Sequence, residues 1–173
     1  MSATRFRPAR RRQFLGLLAA TVAISVLTAC ASKPKPEDPK KEPEKPVPEL
    51  RVEVIAAPDA NRDPSGRALP IVVRLYELKA AGDFAGADFF RLYEQEAAAL
   101  GATLIAREEV TLAPGQRRLT VLPLSPAATH LGVLGAFNDI DRAGWRALQA
   151  LEPGRDNSVE VEVGAAAINV RRQ

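Results

Sequence analysis

Residues 31–49 read ASKPKPEDPKKEPEKPVPE, with six prolines in nineteen positions, five lysines against five acids, and Val47 as the one sizeable apolar residue. A segment of this composition cannot bury enough surface to offset its ordering entropy. Any hydrophobic core must therefore come from the residues beyond it. The sequence holds one cysteine and one histidine, so no intramolecular disulfide and no four-ligand structural zinc can staple the fold. Residues 50–173 must stand on apolar packing alone, and a stretch of that length is enough for one domain.

Charge divides along the same line. Residues 1–30 carry Arg5, Arg7, Arg10, Arg11 and Arg12 and no acid, whereas residues 50–173 carry fourteen basic and sixteen acidic side chains, about −2. The high pI thus belongs to the N-terminus, and a nucleic-acid reading lacks the basic face it needs. After the arginines, Phe14 to Leu27 form an apolar run of fourteen residues. A membrane-spanning helix needs roughly twenty, so the run has the length and the charged-then-apolar order of a signal peptide. It ends in Leu27-Thr28-Ala29-Cys30, which resembles the lipobox of bacterial lipoproteins. That resemblance implies cleavage between Ala29 and Cys30 and acylation of the Cys30 sulfur and the new amino group. One acyl chain binds a membrane only marginally, and two or three hold for practical purposes permanently. Arg11-Arg12-Gln13-Phe14-Leu15 also resembles a twin-arginine export signal; several arginines equally suit an ordinary signal, and both routes stay open. Ala31, rather than an aspartate, follows the cysteine and favours the outer membrane.

The organisation expected is a signal peptide over 1–29, a lipidated cysteine and tether over 30–49, and a domain over 50–173. A polyproline II tether extends about 3.1 Å per residue, or roughly 60 Å in all.

Within the domain the period is mainly two. Leu50–Val54 alternates apolar and polar, Pro58–Ala68 is turn-rich, and Pro70–Leu78 is β-branched. Asp83–Leu100 switches to helical period, with Phe90, Tyr93, Ala97 and Leu100 on one face, widened by Phe89 and Leu92, and Gly101 as its stop. Thr103–Leu112 and Gln116–Leu122 flank Ala113-Pro114-Gly115, a turn sequence that predicts a hairpin between them. His130–Phe137 reads as a central strand buried on both faces, and Asp139–Leu151 as short and partly helical. Val159, Val161 and Val163 alternate with Glu160 and Glu162, and Gly164-Ala165 turns the chain into Ala166–Arg171 for a second hairpin. These elements make a mainly β domain, an antiparallel β-sandwich of about 7–8 strands with a short helical insertion.

Candidate chemical groups fare poorly. Asp59-Ala60-Asn61-Arg62-Asp63 opens like a calcium loop, but Pro64 and Pro70 stand where an EF-hand needs glycine and glutamate; a turn held by Asx hydrogen bonds fits better. Glu108 and Glu109 point to opposite faces of a strand. His130 has no acid or nucleophile nearby in sequence. Ser32, Ser65, Ser125 and Ser158 lack a nucleophile-elbow context, and Trp145 reads as core. No enzyme, cofactor or metal is expected beyond the covalent lipid on Cys30.

The order of these pieces resembles the outer-membrane lipoprotein of type VI secretion systems, the TssJ family. The resemblance rests on the lipobox, the tether, Leu69-Pro70-Ile71-Val72-Val73-Arg74-Leu75-Tyr76-Glu77-Leu78, Ala87-Asp88-Phe89-Phe90 with Leu92-Tyr93, Leu112-Ala113-Pro114-Gly115, Leu131 to Phe137, and Trp145-Arg146. It implies a transthyretin-like sandwich anchored in the outer membrane on its periplasmic face. It also implies TssM as the partner, through its periplasmic domain, with TssL beyond it. In that family the loop after the first strand grips TssM, which maps to Pro58–Ala68 and its polar groups Asp59, Asn61, Arg62, Asp63 and Arg67. Asp139–Trp145 is the next candidate surface. A periplasmic lipoprotein binding a ligand or envelope polymer is the alternative, and it would need an aromatic-lined pocket from a chain with only 5% aromatics. A hydrolase would need carboxylates or a Ser/His set converging in space.

Cys30→Ser is expected to abolish fatty-acid labelling and to release the protein from the membrane fraction. Label retained on that variant would refute the lipobox assignment.

Overall fold

A computed structural model of the chain describes residues 46–173. The signal peptide, the Ala29–Cys30 cleavage and lipidation site and residues 31–45 of the tether lie outside the described residues. Among the described residues there are eight strands: β1 (Glu49–Ala56), β2 (Ile71–Leu78), β3 (Leu104–Leu112), β4 (Arg117–Pro123), β5 (His130–Gly135), β6 (Arg146–Ala150), β7 (Asn157–Val163) and β8 (Ile168–Arg172). They form two four-stranded sheets, β4-β1-β7-β8 and β3-β2-β5-β6. All pairings are antiparallel except β1 with β7, which run parallel in the register Val52↔Val159 and Val54↔Val161. The domain is the mainly β sandwich that the period-two pattern predicts.

Alternation decides which side chains meet between the sheets. Leu50, Val52 and Val54 of β1 and Val159, Val161 and Val163 of β7 face Ile71, Val73 and Leu75 of β2 and Leu131 and Val133 of β5, all fully buried. A second apolar cluster lies on the far side of the second sheet. Tyr76, Leu78 and Leu134 there pack beneath Phe84, Phe89, Leu92 and Leu100 of a helical insertion. β5 is thus buried on both faces, as its apolar run predicts. Gly132 lets the helical layer approach, since a Cβ at that position would stand 3.0 Å from Leu78 Cδ1 and 3.1 Å from the Phe84 ring.

Three expectations are corrected. The helix over Asp83–Leu100 is three short ones, α1 (Gly82–Gly86), α2 (Phe89–Glu94) and α3 (Glu96–Leu100). The break comes at Ala87 and Asp88, both extended, where the Asp88 carboxylate accepts from the Arg91 N–H at 2.9 Å and caps a new helix. That restart turns Phe89 and Leu92 onto the sheet and leaves Phe90 57% exposed. The strands β3 and β4 do not pair. The Ala113–Gln116 turn forms, with Gln116 N–H on Ala113 O at 3.0 Å and Gly115 at φ 80°, but it carries the chain across from one sheet to the other. Finally, Arg146–Ala150 is a strand and not a helix, because the open edge of β5 supplies a ladder for it.

Arg74 fastens the insertion to the sheet. Its guanidinium donates to Glu109 Oε2 at 2.7 Å and to Tyr93 O at 2.6 Å, lies 3.7 Å from Glu96 Oε2, and sits 4.0 Å over the Tyr93 ring. Its side chain is almost wholly enclosed. Its carboxylate partners are more open, Glu109 at 41% and Glu96 at 26% exposed. Losing the guanidinium therefore costs less than breaking a fully buried pair, about 1–3 kcal/mol for the charge-assisted hydrogen bonds. Arg74→Ala is expected to lower unfolding stability by that order in urea titration. A loss near that of a surface substitution would show that the network carries little.

Candidate functional site

Three connections converge at one end of the sandwich: the β1–β2 loop, the β5–β6 loop and the β7–β8 turn. The chain geometry that joins them begins at Asn61, whose backbone is left-handed at φ 51°. Asparagine tolerates that conformation better than most residues because its short amide bonds locally. Asn61 is 4% exposed, and both ends of its amide are engaged. Its Nδ2 donates to Pro70 O at 2.8 Å, closing the loop's own base. Its Oδ1 accepts from the Asn138 N–H at 2.7 Å, reaching the β5–β6 loop. The backbone N–H groups of Asn61 and Arg62 donate to Gly164 O and Ala165 O at 3.1 and 3.0 Å, reaching the β7–β8 turn. Gly144 completes the ring, donating to Ala166 O at 2.8 Å and accepting from Ile168 N–H at 3.0 Å.

Asp63 orders the tip. Its Oδ1 accepts from the Ser65 hydroxyl and from the Ser65 and Arg67 N–H groups at 2.5, 2.9 and 3.0 Å. These are the Asx hydrogen bonds expected of this loop. They hold the carboxyl below the usual carboxylate range, the Ser65 hydroxyl contributing most and the Arg67 N–H next. Because the folded-state pKa is depressed, this stabilisation is present above the ordinary aspartate range and fades as the pH falls through the folded value.

The remaining charges stand on the rim. Arg62 pairs with Asp59 at 3.1 Å, Arg67 with Asp63 at 3.1 Å, and Arg142 with Asp139 at 3.9 Å. Exposed pairs of this kind contribute about 0–1 kcal/mol, so an incoming surface can re-pair them at little cost. Between them runs a groove of about 280 Å³ lined by Asn61, Arg62, Phe137, Asp139, Arg142 and Ala165, among others. The two surfaces that the sequence offered separately, Pro58–Ala68 and Asp139–Trp145, are therefore neighbours.

Of the five loop residues singled out from sequence, Asp59, Arg62 and Arg67 present their side chains outward. Asp63 is turned into its own loop. Asn61 lines the groove but is 4% exposed, and its amide is engaged within the fold by Pro70 O and the Asn138 N–H, so it acts first as an internal pin. That the Gly164–Ala166 backbone joins the site is not legible in the sequence, because its hairpin signal is local and the contact is not.

Elsewhere, Glu108 faces the sheet interior opposite Leu75, while Glu109 faces outward to Arg74, so the two carboxylates are separated as the strand period predicts. His130 Nδ1 lies 2.8 Å from Thr129 Oγ1. Trp145 precedes β6 and packs edge-on against Phe89 at 5.4 Å. Among the described residues, no three His, Cys, Asp or Glu side chains group so as to hold a metal ion.

Residues 48–166 match a family model described as type VI secretion lipoprotein, VasD, EvfM, TssJ. Among solved structures, the lipoprotein TssJ1 of Pseudomonas aeruginosa is 33% identical with a TM-score of 0.71, covering 74% of this chain and 98% of its own. A chain of a structure named "Type VI membrane complex" is 28% identical with a TM-score of 0.63, covering 73% and 99%. A chain of a structure named for the TssM C-terminal domain from EAEC is 29% identical with a TM-score of 0.60, covering 70% and 99%. No curated protein matches.

Asn61→Ala is expected to destabilise the domain by about 1–3 kcal/mol, because two buried backbone groups lose their partners, and by a further 1–2 kcal/mol for an alanine held left-handed. Thermal unfolding measures the total, and amide exchange at Asn138 and Arg62 should accelerate with it. Unchanged exchange there would show that the loops are held independently.

Proposed function

This chain belongs to the type VI secretion lipoprotein family that includes TssJ, and on that premise we propose that it tethers the trans-envelope complex of such a system by docking TssM through the three-loop end. The observation that carries this reading is the Asn61 ring of hydrogen bonds, which fixes three loops before any partner arrives. Preorganisation of this kind lowers the ordering cost of an interface, and loops on a rigid scaffold are where binding residues concentrate. The likeness to chains of a type VI membrane complex and of a structure named for TssM supports the choice of partner.

In this reading residues 1–29 direct export and are removed, and Cys30 carries the acyl chains in the outer membrane. Residues 31–49 then hold the 50–173 domain off the lipid on its periplasmic side, and TssL is reached only through TssM. The role is mechanical, with no catalytic step. Ligand binding gains little support: the apolar cleft lined by Leu50, Leu75, Leu122 and Leu131 is about 230 Å³, below the roughly 300–1,000 Å³ of small-molecule sites.

The test keeps the pins and changes the rim. Asp59→Arg, Arg62→Glu and Arg67→Glu together, with Asn61 and Asp63 retained, are expected to weaken binding of the TssM periplasmic domain at least tenfold, about 1.4 kcal/mol, in calorimetry. The melting temperature should hold. Undiminished affinity would remove this end of the sandwich from the interface.

A further inference from the structure

The two long sides of the sandwich are finished differently. On one side β6 and β8 are joined through the Gly144↔Ala167 bridge. On the other, β3 and β4 stand apart as the edges of separate sheets. Sheet edges with free backbone groups invite further strands, and natural proteins usually blunt them with charge. β3 follows that rule with Arg107, Glu108 and Glu109 at its middle. In β4 the middle is apolar: Leu119 is 58% exposed and Val121 44%, both on the outer face of the sheet.

The hydrogen-bond phase of β4 is set by its two ends. Ala56 N–H donates to Gln116 O at 2.8 Å and Leu124 N–H donates to Pro48 O at 2.7 Å. Alternation in an antiparallel ladder therefore turns the N–H and C=O groups of Arg118, Thr120 and Leu122 toward β1. Those of Arg117, Leu119 and Val121 face the open edge, with the Pro123 carbonyl following them.

We propose that β4 pairs antiparallel with β4 of a second copy of this chain, about a two-fold axis through Thr120, joining the two β4-β1-β7-β8 sheets into one. The strand is self-complementary in that register. Leu119 of each copy lies opposite Val121 of the other, exchanging both backbone bonds and bringing the exposed apolar side chains together on the outer face. Arg117 N–H donates to the Pro123 carbonyl of the other copy, which has no N–H to return. Arg118 falls opposite Leu122, so no arginine faces an arginine. A register centred on Arg118 would set those charges against each other. Among the described residues Arg118 has no carboxylate within ion-pair distance and Glu108 on the facing edge has no cation, although the two line one groove. In the dimer each Arg118 reaches the mouth of the cleft that Leu122 and Glu108 line. The interface is isologous and closed, so it yields a dimer and not a filament. One strand pair buries less than the roughly 1,200 Å² of stable complexes, so it forms where copies are concentrated on a shared membrane and not in dilute solution.

In this register Thr120 meets Thr120 of the other copy as a non-hydrogen-bonded pair with Cα atoms about 4.5 Å apart, inside disulfide range. The experiment is oxidative cross-linking of the full chain carrying Thr120→Cys in the envelope of the producing cell. The native chain, with Cys30 alone, sets the background, and fractionation of the same membranes reads anchoring separately. Expected is a homodimer band at least tenfold above the native chain. Adding Leu119→Lys and Val121→Lys should reduce that band at least tenfold with the circular dichroism spectrum unchanged. A yield no greater than that of Arg171→Cys on β8, or an adduct joining Thr120→Cys to a different protein, would overturn the proposal.

Discussion

β2 and β5 lie side by side with apolar residues on both of their faces, and most of the architecture follows from covering them. One face is met by the inner residues of β1 and β7, which makes the sandwich. The other carries Tyr76, Leu78 and Leu134 and would meet water in a two-layer fold. At about 1.5–3 kcal/mol for each large apolar side chain, that exposure is prohibitive, so a third layer is obligatory. The helical insertion supplies it, and its segmentation follows: a straight helix would lie across the sheet on one stripe, whereas three short turns wrap Phe84, Phe89, Leu92 and Leu100 over a patch. Arg74 completes the layer by tying Tyr93, Glu96 and Glu109 to the same point of β2.

The parts that were legible in the sequence are those whose signal is local. β1, β2 and β7 alternate because one face of each is buried, and β5 is continuously apolar because both are. The Ala113–Gly115 turn was legible as a turn, since proline and glycine set its dihedrals. Whether the strands beyond it pair is a matter of which other edges are available, and here β1 and β2 took them. Arg146-Ala147-Leu148-Gln149-Ala150 consists of good helix formers, and only the ladder offered by β5 makes it a strand. Tertiary context overrode propensity there.

The loop site divides in the same way. Its polar, proline-bounded composition marks Pro58–Ala68 as a loop, and the resemblance drawn from the sequence offered it as a candidate surface. Asn61 looks like its neighbours in sequence because nothing local distinguishes an amide that faces water from one that bridges Pro70 and Asn138. The distinction is made by the Asn138 amide, seventy-seven residues away. Asp139 and Arg142 join the same rim because Asn138 is bonded to Asn61 and Gly144 to the β7–β8 turn.

The placement of β1 connects these features to the proposed tethering role. The tether meets the domain at Glu49, the first residue of β1, and the three-loop end begins where β1 finishes at Ala56. A pull between membrane and partner would therefore run along a single strand of eight residues, about 26 Å at the rise of a β-strand. β1 is not an edge: β4 and β7 hydrogen-bond to it on either side over nearly its whole length. Load along its axis is shear, which must break both ladders together instead of peeling one bond at a time. The Glu49 N–H is also held by the Asp156 carboxylate at 2.9 Å, so strain arriving from the tether passes at once into the turn before β7. A chain that entered through β8 would present an edge strand with one ladder, and the same force would open it from the end.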